Sequence, residues 1–381
     1  MLSSTLLHLS LISGIGPSVV KKLVERVMEH GVDLYTLNIS DFLHLGIPQD
    51  MAALLVNGLA DQALFDREYE LLETTADINW TTMLSSDYPA LLWHTYAPPP
   101  VLYWQGEPVW NSGPTLSVVG SRDGTAYGKR ALDIILTPCI REGMIVVSGG
   151  ARGIDTMAHE LALNEGGTTV AVLGSGLLRP YPTQNIRLFK NIAHQGGGAV
   201  VSCFPLKADG LPWRFPVRNR IIAGMSRGCL VAQAAAGSGA LITARFALDE
   251  GRNVYAVPGH FDDPLSVGCH QILQDGAQLV VNAEAILRDY PSLNGSVFDN
   301  SVVRQTSLID HPEKKVVKKP VFKEKLTLVE MGIVGLCVRP ISLDELVEKT
   351  GKTENELKAE LFDLQLSGKI EQDFAGLWVK V

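Results

Sequence analysis

The sequence predicts an α/β protein built on a doubly wound, mostly parallel sheet, and three observations lead there. Short apolar runs recur about every 25 to 30 residues through the middle of the chain, at residues 116–119, 144–147, 170–173, 199–202, 229–232, 254–257 and 278–281. Each is rich in Val, Ile or Leu and lacks strict alternation, as strands buried on both faces do. Helical spacing fills the gaps: Leu132, Ile135, Leu136, Cys139 and Ile140 fall at i, i+3, i+4, i+7 and i+8. Third, 24 of the 36 glycines lie between Gly113 and Gly276, where strand-to-helix turns of such a sheet would need them.

The elements follow in order. Residues 1–75 are helical in pattern, an N-terminal domain whose Ser13-Gly14-Ile15-Gly16-Pro17 resembles the turn of a helix-hairpin-helix module. Residues 76–113, with Tyr88-Pro89, Pro98-Pro99-Pro100 and Tyr103-Trp104, read as a connector packed on the sheet domain, which runs over 76–290. Residues 291–325 read as a polar, Lys-rich linker. Residues 326–381 carry two helical patterns and a two-stranded end, the outline of a winged helix.

Composition bounds the function. The chain has 381 residues, 46% hydrophobic, with a formal net charge of -8. It is long enough for two or three domains and too apolar for wholesale disorder. No apolar run reaches the ~20 residues of a membrane-spanning helix, and Met1-Leu2-Ser3-Ser4 makes a poor signal peptide, so a cytoplasmic protein with no membrane contact is expected. The five cysteines are far apart with no CxxC, which excludes a zinc site of that type and points to reduced thiols. No metal and no cofactor is expected. An acidic chain does not coat polyanions over its whole surface, so any nucleic-acid site must be a local basic patch.

Ligands of open parallel sheets sit at the carboxyl ends of the strands. The segments that follow the predicted strands are Gly120-Ser121-Arg122, Ser148-Gly149-Gly150-Ala151-Arg152-Gly153, Gly174-Ser175-Gly176, Cys203-Phe204-Pro205, Gln233 through Gly237-Ser238-Gly239, and Pro258-Gly259-His260. Taken singly, each Gly/Ser turn is only a tight turn. Together, with Arg122 and Arg152, they form an edge of backbone amides suited to an anion. Gly124-Thr125-Ala126-Tyr127-Gly128-Lys129-Arg130 fails the Walker pattern, and Gly120-Ser121-Arg122-Asp123-Gly124 lacks the second glycine of the dinucleotide fingerprint. A nucleoside triphosphatase or a dehydrogenase is thereby disfavoured. A second patch interleaves cations and aromatics: Phe204, Lys207, Trp213, Arg214, Phe215, Arg218, Asn219, Arg220 and Arg227. That mixture suits a single strand, whose phosphates need charge and whose unstacked bases need a flat surface.

These motifs closely resemble the DprA family of bacterial DNA-processing proteins, also called Smf. The resemblance rests on Tyr88-Pro89 with Leu102-Tyr103-x-x-Gly106, Val118-Val119-Gly120-Ser121-Arg122 through Tyr127-Gly128, and Ser148-Gly149-x-Ala151-x-Gly153-Ile154-Asp155 with Ala158-His159. It continues through Val172-Leu173-Gly174-x-Gly176, Tyr181-Pro182-x-x-Asn185 and Phe215-Pro216-x-Arg218-Asn219-Arg220-Ile221-Ile222-Ala223-Gly224. Ser238-Gly239-x-Leu241-Ile242-Thr243-Ala244, Gly251-Arg252-x-Val254 and Val257-Pro258-Gly259 complete it. The resemblance implies an extended Rossmann-like sheet that binds single-stranded DNA as a homodimer, without catalysis, and helps load the recombinase RecA in natural transformation. Carried onto this chain, the DNA site comprises Ser121, Arg122, Gly149, Gly150, Arg152, Gly153, Lys207, Arg218, Asn219, Arg220, Ser238, Gly239 and Thr243. Dimer contacts fall in the last elements of the sheet, with His270, Leu273 and Leu279. On this reading Arg122 and Arg218 each meet a phosphate.

Two positions depart from the family pattern: Cys203 and Gln233 stand where it usually has glutamate. Both swaps remove a carboxylate from a strand end and so reduce repulsion of an anion there. The rival reading is a hydrolase of nucleoside monophosphates, for which Asp155, His159, His260, Asp262, Asp263 and His270 are the candidate acids and bases, with Asp155 and His159, at i and i+4, a pair on one helix face. The expectation here is instead that Asp155 caps the helix starting near Thr156 and that His159 bonds locally. A third reading, protein recruitment, attaches to the C-terminal segment, where Glu354, Glu356 and Glu360 would repel phosphates.

Overall fold

The computed structural model describes residues 2–30 and 32–290 and, beyond them, 333–337, 341, 343–352, 357, 360–361, 370–372 and 378–380. The expected linker over 291–325 lies outside the described residues. The chain forms two compact units, residues 1–298 and 299–381.

The first unit opens with five helices: α1 (Leu2–Leu11), α2 (Pro17–His30), α3 (Ile39–His44), α4 (Gln49–Ala60) and α5 (Gln62–Thr74). Apolar residues spaced three and four apart converge from them, among them Leu6 and Leu9, Val20, Leu23 and Val24, Phe42, and Leu55 and Leu59, all buried in one cluster. Asn38 starts α3 through a capping box with Asp41: its side chain accepts from the amides of Ser40 and Asp41, and the Asp41 carboxylate accepts from the Asn38 amide.

The sheet follows: β1 (Asn79–Thr82), α6 (Ala90–Trp93), β2 (Val101–Gly106), β3 (Thr115–Val119), α7 (Ala126–Arg141), β4 (Ile145–Ser148), α8 (Ile154–Asn164), β5 (Thr169–Val172) and α9 (Ile186–His194). Next come β6 (Ala199–Ser202), α10 (Arg214–Gly224), β7 (Gly228–Val231), α11 (Gly239–Asp249), β8 (Asn253–Ala256), α12 (Val267–Gln274), β9 (Gln278–Leu279) and α13 (Glu284–Leu287). The strand order is β1-β2-β6-β5-β4-β3-β7-β8-β9. From β6 to β9 every pair is parallel, and all seven predicted runs fall on these strands to within a residue or two. Leu132, Ile135, Leu136, Cys139 and Ile140 of α7 are buried, as their spacing predicts.

The segment read as a packed connector does more than pack. Its β1 and β2 extend the sheet, β2 running antiparallel to β6 with Tyr103 opposite Ser202. Residues 101–104 are buried without alternation, and the proline run before them masked the strand.

Order reverses between β3 and β7. The chain builds outward from β3 to β6, then crosses back through α10 to lay β7 beside β3. That topological switch point places the loops after β3, β4 and β7 around α10, the crevice in which open sheets bind ligands.

In the second unit, helix α14 (Leu343–Thr350) and an antiparallel pair, β10 (Ile370–Gln372) and β11 (Trp378–Lys380), are described. Ile333, Val334, Cys337, Ile341, Leu346, Leu357, Leu361 and Trp378 form its core. The residues that would complete a winged helix lie outside the described ones.

Candidate nucleic-acid interface

The loop after β4, residues 149–153, is the centre of the site, and its glycines are required by contact. A Cβ on Gly149 would stand 1.4 Å from Nη1 of Arg218. Gly153 has φ 76°, and a Cβ there would stand 2.3 Å from the Ser121 carbonyl oxygen. The amides divide into two sets. Those of Gly149 and Ala151 donate to the Asp155 carboxylate at 3.2 and 3.3 Å, and that of Ile154 donates to the Ser121 carbonyl at 3.1 Å. Among the described residues, the N–H groups of Gly150, Arg152 and Gly153 have no such partner, and they sit at the N-terminus of α8, where the helix dipole favours negative charge.

Asp155 therefore differs from the expectation. The helix begins at Ile154 with Gly153 ahead of it, and the Asp155 carboxylate reaches back to tie down the loop instead of capping the helix. Beneath that loop lies Arg218, only 5% exposed, with Nη1 donating to the Val172 carbonyl at 3.3 Å. Burial lowers its guanidinium to about 10 despite the attraction of Asp155. Burial raises the Asp155 carboxyl against the pull of Arg218 and the two amides. Arg218 thus supports the loop from below; it does not face solvent.

His159 is fully buried on α8, its Nδ1 2.7 Å from Thr169 Oγ1. Burial, then the charge of Arg218, holds the imidazole down at about 3. A histidine lowered in the fold leaves the unfolded chain to take up the proton as pH falls through 6.5. Its contribution to stability is complete above about 6.5 and is lost down to about 3, with a slope of at most about 1.4 kcal/mol per pH unit. Asp155, raised in the fold, acts in the opposite sense, its contribution falling as pH rises past 3.8. His159→Asn is expected to flatten the histidine's slope in urea-denaturation midpoints between pH 6.5 and 4; an unchanged slope contradicts the assignment.

The other predicted residues divide between surface and interior. Arg122 is exposed, its guanidinium 5.7 Å from the centre of the Phe215 ring, against which Tyr181 leans at 5.7 Å. Arg214 lies between Phe204 and Trp213, 5.2 and 4.9 Å from their ring centres. Arg152, Lys207 and Gly239 are exposed, as is Arg220, which covers Phe246 at 4.6 Å. Asn219 donates to the Gly239 carbonyl at 3.3 Å and so links α10 to the start of α11, where Ser238 is the N-cap. Ser121 is buried, its Oγ accepting from the Asp123 amide at 3.1 Å. Gly149 and Gly150 are buried, and Thr243, at 1% exposure, lies inside α11.

Neither departure from the family pattern exposes a changed group. Gln233 is 1% exposed, and its Oε1 accepts from the Thr125 amide and hydroxyl at 3.0 and 3.1 Å, fastening the start of α7 from below. Cys203 is half-buried, and burial pushes its thiol up to about 12, so it is neutral. Of the three dimer candidates, His270 turns toward Gly259, its Nε2 3.1 Å from that carbonyl. Leu273 packs against the core, and Leu279 stands 52% exposed on the edge strand β9. Tyr181 and Asn185, which the site reading left out, both belong to it. The Asn185 Nδ2 donates to the Gly150 carbonyl at 2.9 Å and holds the central loop from its other side. Their signal was present in Tyr181-Pro182-x-x-Asn185. Among the described residues no group of three His, Cys, Asp or Glu could hold a metal, and no helix is long and apolar enough to cross a membrane.

Comparison with known proteins agrees with this geometry. Residues 79–291 match the family model for DNA recombination-mediator protein A. Protein Smf of Escherichia coli is 38% identical over 287 residues, 75% of this chain and 73% of that protein. The X-ray structure of DNA processing protein A from Streptococcus pneumoniae superposes with a TM-score of 0.64 at 34% identity, covering 74% of this chain and 95% of that one. DNA processing protein A from Helicobacter pylori, studied for its single-stranded DNA binding mode, superposes with a TM-score of 0.50 at 26% identity, over 56% of this chain and 96% of that one. The shared sheet, the arginine-bearing loops at its carboxyl edge and these matches make the chain a member of the DNA recombination-mediator protein A family.

Proposed function

We propose that this protein binds single-stranded DNA, without catalysis, across the loops at the carboxyl edge of β3, β4, β6 and β7, and that it protects the strand and helps load RecA onto it. The observation that carries the reading is the pairing of cation with ring, one member of each pair exposed, together with unpartnered amides. Exposed Arg122 lies over half-buried Phe215, half-buried Arg214 lies against the 55%-exposed Trp213, and the backbone of Ser121 and Arg122 meets Gly153 just ahead of α8. Phosphates fit the amides and guanidinium groups, and splayed bases fit the rings. Duplex DNA, with its bases stacked away, gains little from such a surface. In gel-shift competition an unlabelled single strand should therefore displace a bound single strand far better than a duplex of the same sequence does. Equal competition by both would favour a general polyanion site instead.

The hydrolase reading is weakened at its i, i+4 pair. Asp155 is engaged by two loop amides, and His159 is buried and neutral, so neither is placed to exchange a proton with a ligand. RecA delivery rests on family membership, and a homodimer through the β9 edge on the exposure of Leu279 and Val281. The C-terminal unit is assigned a winged-helix fold and a role other than phosphate contact. Deleting residues 326–381 should leave single-strand affinity within a few-fold, and a larger loss in filter binding would overturn that assignment.

A further inference from the structure

A second patch of the same chemistry lies outside the loops described above. Trp93, His94 and Tyr96, at the end of α6 and just beyond it, are all exposed, Trp93 at 43% and Tyr96 at 71%. Lys21 of α2 stiffens the patch: its Nζ donates to the Thr95 carbonyl at 2.9 Å and lies 5.7 Å from the centre of the Trp93 ring. His94 meets Trp93 edge-on at 5.1 Å. Lys22, the next residue of α2, is exposed. Among the described residues, the carboxylate that touches the patch is Glu250, which accepts from the Tyr96 amide at 3.1 and 3.3 Å and so fixes the backbone that carries the ring.

The place of this patch relative to α10 gives it meaning. At 3.6 residues per turn, positions 213, 217, 220 and 224 fall on one stripe about 60° wide. Trp213 and Arg220 are exposed on that stripe. It ends under α6: a Cβ on Gly224 would stand 2.7 Å from Leu92 Cδ1 and 2.9 Å from Thr95 Cγ2. From Trp213 to Gly224 is about 16 Å at 1.5 Å per residue. Single exposed aromatics are ordinary on a protein surface. Here two large exposed rings and a histidine, braced by a lysine, stand where a stripe that begins at the Trp213–Arg214 stack comes to its end.

We propose that Trp93 and Tyr96, with Lys21 and Lys22, form an outer stacking platform that carries the single strand from the sheet edge along α10 onto the N-terminal helices. The proposal rests on the single-strand reading above and makes the site longer than the loops alone. It is tested with full-length protein and oligodeoxythymidylates of about 6 and about 25 nucleotides, lengths that straddle one binding module's usual footprint. Trp93→Ala/Tyr96→Ala should weaken binding of the long probe at least about five-fold, as expected for lost base stacking, and leave the short probe within about two-fold. Trp93→Phe/Tyr96→Phe, which keeps both rings, should retain most of the long-probe affinity. Equal loss on both probes, or no loss on either, overturns the proposal. Arg122→Ala separates the two readings, since it should weaken both lengths alike. If it weakens neither, the sheet-edge site itself fails, whatever the outer platform does.

Discussion

Arg218→Ala is expected to destabilise the protein by about 3 to 5 kcal/mol, the usual cost of removing one partner from a buried charged pair. The guanidinium is 5% exposed, lies against Gly149 and faces the buried Asp155. Its removal leaves Asp155 without its compensating charge and opens a cavity directly under the loop that Asp155 ties down. Part of the loss should return in Arg218→Ala/Asp155→Asn, because the two groups act as a unit and their effects will not add. Urea denaturation of the full chain measures both. A cost below about 1 kcal/mol, or strict additivity, would show that the pair does not support the loop. The same burial alters the expectation for DNA. A residue that never meets a phosphate lowers affinity by loosening the loop and leaves the salt dependence nearly unchanged, whereas the sequence alone placed Arg218 on a phosphate.

Arg122→Ala should behave oppositely. Arg122 is exposed at the switch point, and its stack on Phe215 fixes the guanidinium beside the loop without consuming its charge. Stability should change by less than about 0.5 kcal/mol, as for most surface substitutions. Single-strand affinity should fall about ten-fold at low salt, in the range of one charged hydrogen bond. The slope of log affinity against log salt should shrink by about one phosphate's worth. Fluorescence anisotropy across a salt series reads both quantities, and a loss with unchanged slope would mean that Arg122 only positions other groups.

What the sequence made legible follows from periodicity. Strands buried on both faces, such as 116–119 and 170–173, announce themselves as apolar runs, and α7 by its 3.6-residue spacing. β2 escaped because Val101, Leu102, Tyr103 and Trp104 follow three prolines, and proline runs normally signal a loop. Within the site, residue type predicted location near the edge but not depth. Arg122 read as a cation of a glycine turn and Arg218 as a cation among aromatics, both assigned to the DNA site, yet one lies on the surface and the other beneath it. Only the close approach of Gly149 to α10 distinguishes them, and that contact joins segments about 70 residues apart. Asp155 was misread for the same reason. A carboxylate in the first turn of a helix is ordinarily a helix-dipole partner, and its return to the amides of Gly149 and Ala151 depends on the path of the preceding loop.

The most direct measurement is equilibrium binding of the purified full-length chain to oligodeoxythymidylate over roughly 50 to 300 mM salt, with the matching duplex as reference. Tight single-strand binding that weakens linearly on a log–log scale, with the duplex bound much more weakly at each point, is the predicted result. Indifference to the single strand even at the lowest salt would contradict the assignment of this sheet edge to DNA.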